Sequence, residues 1–271
     1  MPKVNNEYPG TKPPTDDEIK KRAIDNYNAP TVAGNTASKA KSKFPTEIID
    51  LPSKGLLYPE DNPLSQGQIE MKYMTAKEED ILTSQTYIKK GIVLDKLFRA
   101  LIIGNGDGVK INYNDLIMGD KNAIMIAARV LGYGKDYEAT INTPSGGKYT
   151  ETIDLTTFMD KEFDEDLITP NQNEFEFELP TSKRIVKFKI LNNRDQQNID
   201  AELKGLKKIN KGGLDSSLST RLMHAITAVD GDDSSSAVRN FVNTEFLARD
   251  SRAFREHLAK VQPDVNMKIS C

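Results

Sequence analysis

The sequence predicts a mixed α+β fold, and three changes of hydrophobic pattern along the chain lead to that class. Between Thr75 and Ile102 the apolar residues recur at the spacing of an amphipathic helix. In EFEFEL, residues 174–179, they alternate with acidic residues as in a half-buried strand. Helical spacing returns after Asp195. We therefore expect a helical N-terminal core, two β-hairpins, and C-terminal helices followed by a final strand.

Composition separates residues 1–45 from the rest of the chain. This segment contains six prolines, few bulky apolar residues, and eight Lys and Arg against five Asp and Glu. Because such a composition buries too little apolar surface to offset chain entropy, we predict a mobile arm. An arm that becomes ordered against a partner is the alternative. The remaining chain is predicted to form a helical core at 46–135, a β-hairpin region at 136–193, and C-terminal helices with a last strand packing on the hairpins at 194–271.

The whole-chain composition argues against several classes of protein. The formal net charge is -3, which gives no strong attraction to nucleic acid or to a membrane surface. No apolar run approaches the ~20 residues of a membrane span, and the N-terminus MPKVNNEYPG lacks the apolar core of a signal peptide. Cys271 is the only cysteine, so the chain forms no internal disulfide. We expect a protein of the cytoplasm.

The strongest local signals lie in the stretch QIEMKYMTAKEEDILTSQTYIKKGIVLDKLFRALII. Its first residues are predicted as a short strand leading into Thr75, and Thr75 with Glu78 has the spacing of a capping box. Gly91 is predicted to end this first helix in the left-handed conformation. A second helix is predicted up to Gly104. Its core-facing stripe is expected to be Leu94, Leu97, Phe98, Leu101 and Ile102.

Two further segments complete the predicted helical core. Residues 46–64 have apolar pairs separated by turn residues and prolines, which predicts extended chain rather than helix. Asp120 is predicted to cap a third helix, which Gly134 ends. The apolar face of that helix is expected to consist of Ala123, Ile126, Ala127, Val130 and Leu131.

Alternating patterns predict two hairpins between residues 137 and 190. The first has one face built from Tyr137, Ala139, Ile141, Tyr149, Ile153 and Leu155, with its turn at 143–147. In the second, Glu176 opposite Lys187 puts opposite charges on one face and apolar pairs on the other. The other expected pairs are Glu174–Lys189, Phe175–Phe188 and Phe177–Val186. We therefore expect these charges to neutralise one another within the hairpin; an acidic patch that binds a basic partner is the alternative.

Helices are predicted again in the C-terminal region. They are expected to start at Asp195, at Asp215 or Ser216, at Ser234 and at Asp250. The second is expected to continue to Val229. The apolar positions are Ile199, Leu203, Leu206 and Ile209 in the first helix, and Phe254, Leu258 and Val261 in the last. Residues 264–270, DVNMKIS, alternate and predict the final strand.

Motifs for catalysis or metal binding are missing from the sequence. His224 and His257 each lie in a predicted helix without an adjacent nucleophile or a second ligand one turn away. The segment ending at 146–148 fails the phosphate-loop pattern, and the acidic residues at 230–233 fail the EF-hand pattern. The basic residues of 183–211 lack the stacking aromatics of a nucleic-acid platform. We therefore expect neither an enzyme nor a cofactor.

Three long strings resemble one known family. They are LPSKGLLYPEDNPL (51–64), IEMKYMTAKEEDILTSQTYIKKGIVLDKLFRALI (69–102) and GDKNAIMIAARVLGYGKDYEATI (119–141). They are similar to the baseplate hub assembly family of T-even-type contractile-tailed bacteriophages. The resemblance covers residues 48–155, continues more loosely to Val261, and does not include the arm. It implies a viral protein, made in the host cytoplasm, that acts by protein–protein contact in building the tail baseplate.

The chain departs from this family at the cysteines. The resemblance implies a C-P-x-C-G element in the first hairpin turn and a second cysteine pair near the C-terminus, which together form a zinc ribbon. Thr143 and Gly146 stand at the first two cysteine positions, and Cys271 is a remnant of the second pair. Either the site has been lost, or the natural chain continues past Cys271 with further ligands. We expect a ribbon-like element without metal.

The resemblance leaves open what the protein does during assembly. It is either a structural subunit of the baseplate hub or a transient chaperone missing from the virion, and its partners are other hub and tail proteins of the phage. A homo-oligomer is also open, whereas nucleic acid and membrane are not expected partners. A nucleic-acid-binding protein is the third, weakly supported hypothesis. The residues chosen for protein contact are Lys72, Tyr73, Met74, Glu78 and Glu79, for which capping and strand–helix packing is the alternative explanation.

Overall fold

The structure, a computed structural model, describes residues 44–142, 147–209 and 216–268. All of them belong to one compact unit, Ser42–Cys271. Within these ranges the chain forms eight α-helices and three small antiparallel sheets, which confirms the predicted α+β class. Apart from Phe44 and Pro45, the predicted arm lies outside the described residues, so its mobility stays a prediction.

The strands and helices of the described residues are each numbered in chain order. The strands are β1 (Thr46–Asp50), β2 (Gln68–Lys72), β3 (Ile102–Asn105), β4 (Asp136–Asn142), β5 (Lys148–Asp154), β6 (Phe175–Glu178), β7 (Ile185–Phe188) and β8 (Ile226–Val229). The helices are α1 (Ala76–Thr83), α2 (Gln85–Lys90), α3 (Val93–Leu101), α4 (Met118–Tyr133), α5 (Asn193–Ile209), α6 (Ser217–Ala225), α7 (Ser235–Asn240) and α8 (Ala248–Val261). Short 3-10 turns lie at Pro63–Gln66, Tyr113–Asp115, Leu155–Thr157 and Glu165–Leu167, and a π-helical turn lies at Phe241–Glu245.

The predicted helical core also contains a sheet, in which β2 lies between β1 and β3. The prediction that the second helix continues up to Gly104 was wrong, because α3 ends at Leu101 and the chain continues as β3. The β-branched pair Ile102-Ile103 favours a strand over a helix. At Gly104 a Cβ atom would lie 2.6 Å from the carbonyl oxygen of Val109, so the returning chain can approach this strand closely only at glycine.

The first predicted helix is interrupted near its centre. It consists of α1 and α2, joined at Ser84, whose φ of -65° and ψ of 105° are extended. The Thr83 hydroxyl donates to the carbonyl of Glu79, the type of local hydrogen bond by which Ser and Thr compete with regular helix. The predicted end at Gly91 is confirmed, with a φ of 68°. There the amide of Ile92 donates to Tyr87, which completes a Schellman-type end.

Helix α4 is oriented differently from the prediction. Asp120 does not cap it, because Ile117 is the N-cap residue and Asp120 lies buried in the first turn. Asp120, Ile124 and Ala128, spaced four residues apart, form the buried face. The predicted apolar face, namely Ala123, Ile126, Ala127, Val130 and Leu131, is half-buried instead.

Buried Asp120 joins α4 to the segment before β2. Its carboxylate accepts hydrogen bonds from the Ser53 amide at 2.9 Å, the Ser53 hydroxyl at 2.8 Å and the Tyr58 hydroxyl at 2.6 Å. The Tyr58 oxygen in turn accepts from the amide of Ile117 at 3.0 Å. Burial raises the pKa of Asp120 to about 6, although these hydrogen bonds oppose the rise.

Both predicted hairpins are present, in separate sheets. The first, β4–β5, pairs Tyr137 with Ile153 and is a sheet of two strands, whose predicted turn lies mostly outside the described residues. The second, β6–β7, has the predicted register, with Glu176 opposite Lys187 and Phe175 opposite Phe188.

The charges of the second hairpin do not all pair as predicted. Lys187 forms its ion pair with Glu174, two residues before Glu176, at 2.8 Å. Lys189 contacts Asp195 of α5 at 2.8 Å instead of Glu174. Helix α5 begins directly after this hairpin, so its acidic first turn competes for the lysine.

The C-terminal helices support this second sheet. Helix α6 ends at Ala225 rather than at Val229, because Ile226–Val229 forms β8 beside β7. Asp250 is buried in α8 but does not cap it; its oxygens accept from the amides of Thr181 at 2.7 Å and Ser182 at 2.9 Å in the β6–β7 turn. The inward positions predicted for this helix are confirmed, with Phe254 and Val261 fully buried and Leu258 partly buried.

The predicted final strand is wrong for its described part. Between residues 264 and 268 only Val265 forms a bridge, with Asp160. The core nevertheless continues from the first sheet into this region, because one cluster of buried side chains extends from Ile49 to Val261. No helix among the described residues combines the length and apolar character that a membrane span requires.

The Asp120→Asn variant tests the buried carboxylate. The folded-state pKa of about 6 exceeds the ordinary 3.8, so this group favours folding most below pH 3.8 and loses that contribution as the pH rises through 6. Between about pH 4 and pH 7 the wild type should lose on the order of 3 kcal/mol more unfolding free energy than the variant, measured by urea denaturation.

Asp61→Asn, at an exposed position, is the matched control and should unfold within about 0.5 kcal/mol of the wild type at pH 7. Parallel pH profiles for the wild type and Asp120→Asn would contradict the role given to Asp120.

Candidate functional site

The residues predicted for protein contact lie together where β2 leads into α1. Lys72 ends the strand, and its ammonium lies 2.8 Å from a carboxylate oxygen of Glu78, which is only 2% exposed. The other oxygen of Glu78 accepts from the amide of Thr75 at 3.1 Å and from its hydroxyl at 2.6 Å. The capping box predicted from Thr75 and Glu78 is thus confirmed.

The protonation of Glu78 reflects these contacts. Burial alone would raise its pKa, but the hydrogen bonds from Lys72 and Thr75 outweigh burial and lower the pKa to about 2. Lys72 also lies 5.4 Å from the centre of the Phe44 ring, over its face. Glu78 is therefore ionised and used within the fold, and it offers no free group to a partner.

The other three predicted residues differ in what they leave exposed. Half-buried Tyr73 has a raised pKa because of its burial and the nearby Glu47 carboxylate, to which its hydroxyl is hydrogen-bonded. Met74 packs on the core beside Gly132 of α4. Glu79 is exposed and hydrogen-bonds Tyr133. The junction thus holds β1, β2, α1 and α4 together, and Glu79 is the one exposed residue of the five that were predicted for contact.

A groove beside β3 was not predicted from the sequence. It has a volume of about 330 Å³ and is lined by Arg99, Ile102, Ile103, Lys110, Ile111, Asn112 and Tyr113. Strand β3 is at the edge of its sheet, and Ile103 stands opposite no residue of β2 because the register shifts there. Such a bulge redirects a side chain out of the regular ladder. The groove is thus the space between an edge strand and the chain that returns from it.

The two cations of the groove keep their charge available. Arg99 lies over the Tyr113 ring, 4.4 Å from its centre, and donates to the neutral amide oxygen of Asn114 at 2.5 Å. Lys110 is exposed and forms no ion pair with any described residue. The residues that line the groove include no acid. The groove therefore combines an apolar floor with a cationic rim.

One local signal could have pointed to this groove. In Gly104-Asn105-Gly106-Asp107-Gly108 the side chain of Asn105 accepts from the amides of Asp107 and Val109, so the loop folds the chain back beside β3. From the sequence we predicted a helix up to Gly104, so this stretch would be the loop that follows a helix. Taken as a turn after a strand, it would have placed Lys110 and Ile111 beside Ile102 and Ile103.

Both histidines make contacts within the fold. His257 stacks on Phe177 at 4.4 Å between ring centres, and its pKa is lowered by burial and by Lys260. His224 lies 3.0 Å from the carboxylate of Glu202. Among the residues that the structure describes, no group of His, Cys, Asp or Glu could hold a metal ion. Thr143, Gly146 and Cys271, at the cysteine positions of the resembled family, lie outside those residues.

Apolar side chains are also exposed on the helices after the junction. Ile88 of α2 is 46% exposed and Leu94 of α3 is 42% exposed, one on each side of the Gly91 turn. These two side chains and the groove are therefore apolar features at the surface of the described residues. No protein-family model, curated protein or solved structure matches the chain.

Replacing Glu78 by Gln tests the junction. The variant should lose about 1–2 kcal/mol of unfolding free energy at pH 7, because it weakens the capping box and removes the Lys72 ion pair. The pKa of about 2 lies below the ordinary 4.5, so the difference should shrink as the pH falls from 4.5 towards 2.

The exposed neighbour Glu79 provides the control, and Glu79→Gln should change the unfolding free energy by less than about 0.5 kcal/mol. A deficit in Glu78→Gln that does not depend on pH would count against the ionised network.

Proposed function

We propose that the chain is a structural or assembly protein of a contractile-tail phage baseplate hub, acting by contact with other hub and tail proteins. The support is the resemblance of residues 51–64, 69–102 and 119–141 to the baseplate hub assembly family. The protein is proposed to work without catalysis or a cofactor. Its place is the host cytoplasm during assembly, and then the tail baseplate.

The observation that carries this proposal is the way the three resembling strings fold together. Ser53 and Tyr58 of the first string donate to Asp120 of the third. Met74 of the second packs beside Gly132 of the third. Segments that are distant in sequence thus form one unit, and this unit presents exposed apolar side chains and a groove at its surface. Such surfaces are typical of protein–protein contact.

The hairpin region is proposed to correspond to the zinc ribbon of the resembled family, without its metal. Its first hairpin, β4–β5, is a sheet of only two strands, a form that is marginally stable alone in water. Lys135 and Asp154 form an ion pair of 2.7 Å at its base. This contact and the packing of buried Ile153 support the hairpin locally.

A chaperone that acts during assembly and then leaves is the second candidate. It has the same contacts and the same partners and differs only in its fate. Mass spectrometry of purified virions separates the two, because a subunit gives peptides at stoichiometric copy number and a chaperone gives none.

The double variant Ile88→Asp with Leu94→Asp tests whether the exposed helical surface binds hub proteins. A charge buried in an apolar contact without a partner is costly, so recovery of phage hub proteins with the tagged chain from infected cells should fall roughly tenfold or more. Hub proteins are identified by mass spectrometry against the tail genes of the same phage.

Thr86→Asp is the matched control, because this exposed residue of α2 carries no apolar surface of comparable size. It should recover hub proteins at the wild-type level. Equal recovery by the double variant, with an unchanged melting temperature, would reject this surface. Loss of recovery only on deleting residues 1–45 would instead assign binding to the arm.

A further inference from the structure

The groove beside β3 has features that define the chemistry of its occupant. Ile102, Ile103 and Ile111 supply the apolar floor, and Arg99 and Lys110 supply two charges without a carboxylate among the lining residues. A matching segment needs an exposed apolar side chain flanked by acidic residues. The groove has a volume of about 330 Å³, which is large enough for one long side chain and its neighbours.

The chain itself carries such a segment at residues 158–168, called here the acidic loop. Met159 is 72% exposed, more than any other large apolar side chain described. Glu162 and Asp166 are exposed and have no ion-pair partner among the described residues. Methionine is flexible and polarizable, which suits it to insertion into an irregular apolar groove. The acidic loop therefore has the chemistry that the groove requires.

The acidic loop is held in place by its own contacts. The amide of Lys161 donates to Asp264 at 2.7 Å, and the amide of Asp164 donates to Lys260 at 2.9 Å. Asp160 bridges to Val265. Because the loop is already ordered, binding it costs little conformational entropy. No hydrogen bond or ion pair among the described residues joins this loop to the groove of the same chain.

We propose that the groove of one copy binds the acidic loop of a second copy of this chain. Met159 enters between the isoleucines, and the carboxylates of Glu162 and Asp166 face Lys110 and Arg99. Each copy uses two different surfaces, so the contact is head-to-tail and builds a closed ring or an extended row. This inference does not depend on the phage assignment, because it rests only on surfaces of this chain.

Charge-swap variants provide the test. Variant one carries Arg99→Glu and Lys110→Glu, and variant two carries Glu162→Lys and Asp166→Lys. In sedimentation experiments on the full chain, the wild type should associate with rising concentration, and more weakly at high salt. Each variant alone should associate at least roughly tenfold more weakly. An equal mixture should associate again, because the unchanged acidic loop of variant one fits the unchanged groove of variant two, and the acidic groove of variant one faces the basic loop of variant two.

Two further variants serve as controls for this test. Glu60→Lys with Asp61→Lys makes the same charge change as variant two at exposed acidic positions outside the loop, and it should associate like the wild type. Lys110→Glu alone replaces an exposed loop residue, so it reports on the groove even where a double variant fails to fold. A wild type that stays monomeric at roughly 100 μM, or a mixture that stays monomeric, would overturn the proposal.

Discussion

The buried carboxylate of Asp120 is the interaction on which the arrangement of the fold depends. A buried carboxyl group needs hydrogen-bond partners, and here Ser53 and Tyr58 donate to it. Tyr58 then fixes the amide of Ile117, and Ile117 bridges to Asn192 just before α5. One carboxylate thus links the segment before β2, the start of α4 and the beginning of the C-terminal helices.

A buried acidic residue in the first turn also occurs in two other helices, where it has different hydrogen-bond partners. Glu78, Asp120 and Asp250 each occupy the third residue of a helix, where the positive end of the helix dipole favours an acid. Glu78 binds the residues just before its own helix, whereas Asp250 binds the amides of a distant hairpin turn. Because these buried acids serve the fold, they offer no free group to a partner, whereas Ile88 and Leu94 are exposed at the surface.

The distance in sequence between contacting residues explains what could be predicted from the sequence. Local signals were sufficient for the Thr75 capping box, the Gly91 helix end and the register of β6 with β7. They failed where the deciding partner is distant in sequence: Asp120 and Asp250 looked like caps, because nothing local distinguishes a cap from a carboxylate that binds another segment. The groove was missed for the same reason, since it needs β3 to be recognised as a strand.

We propose that this protein acts in building the baseplate hub, through contacts made by its surface. The most direct measurement is electron microscopy of cells infected by the encoding phage with this gene deleted, with and without the full chain supplied from a plasmid. We expect filled heads without baseplates or contractile tails, and complete particles when the chain is restored. Complete, contractile tails in the absence of the protein would contradict it.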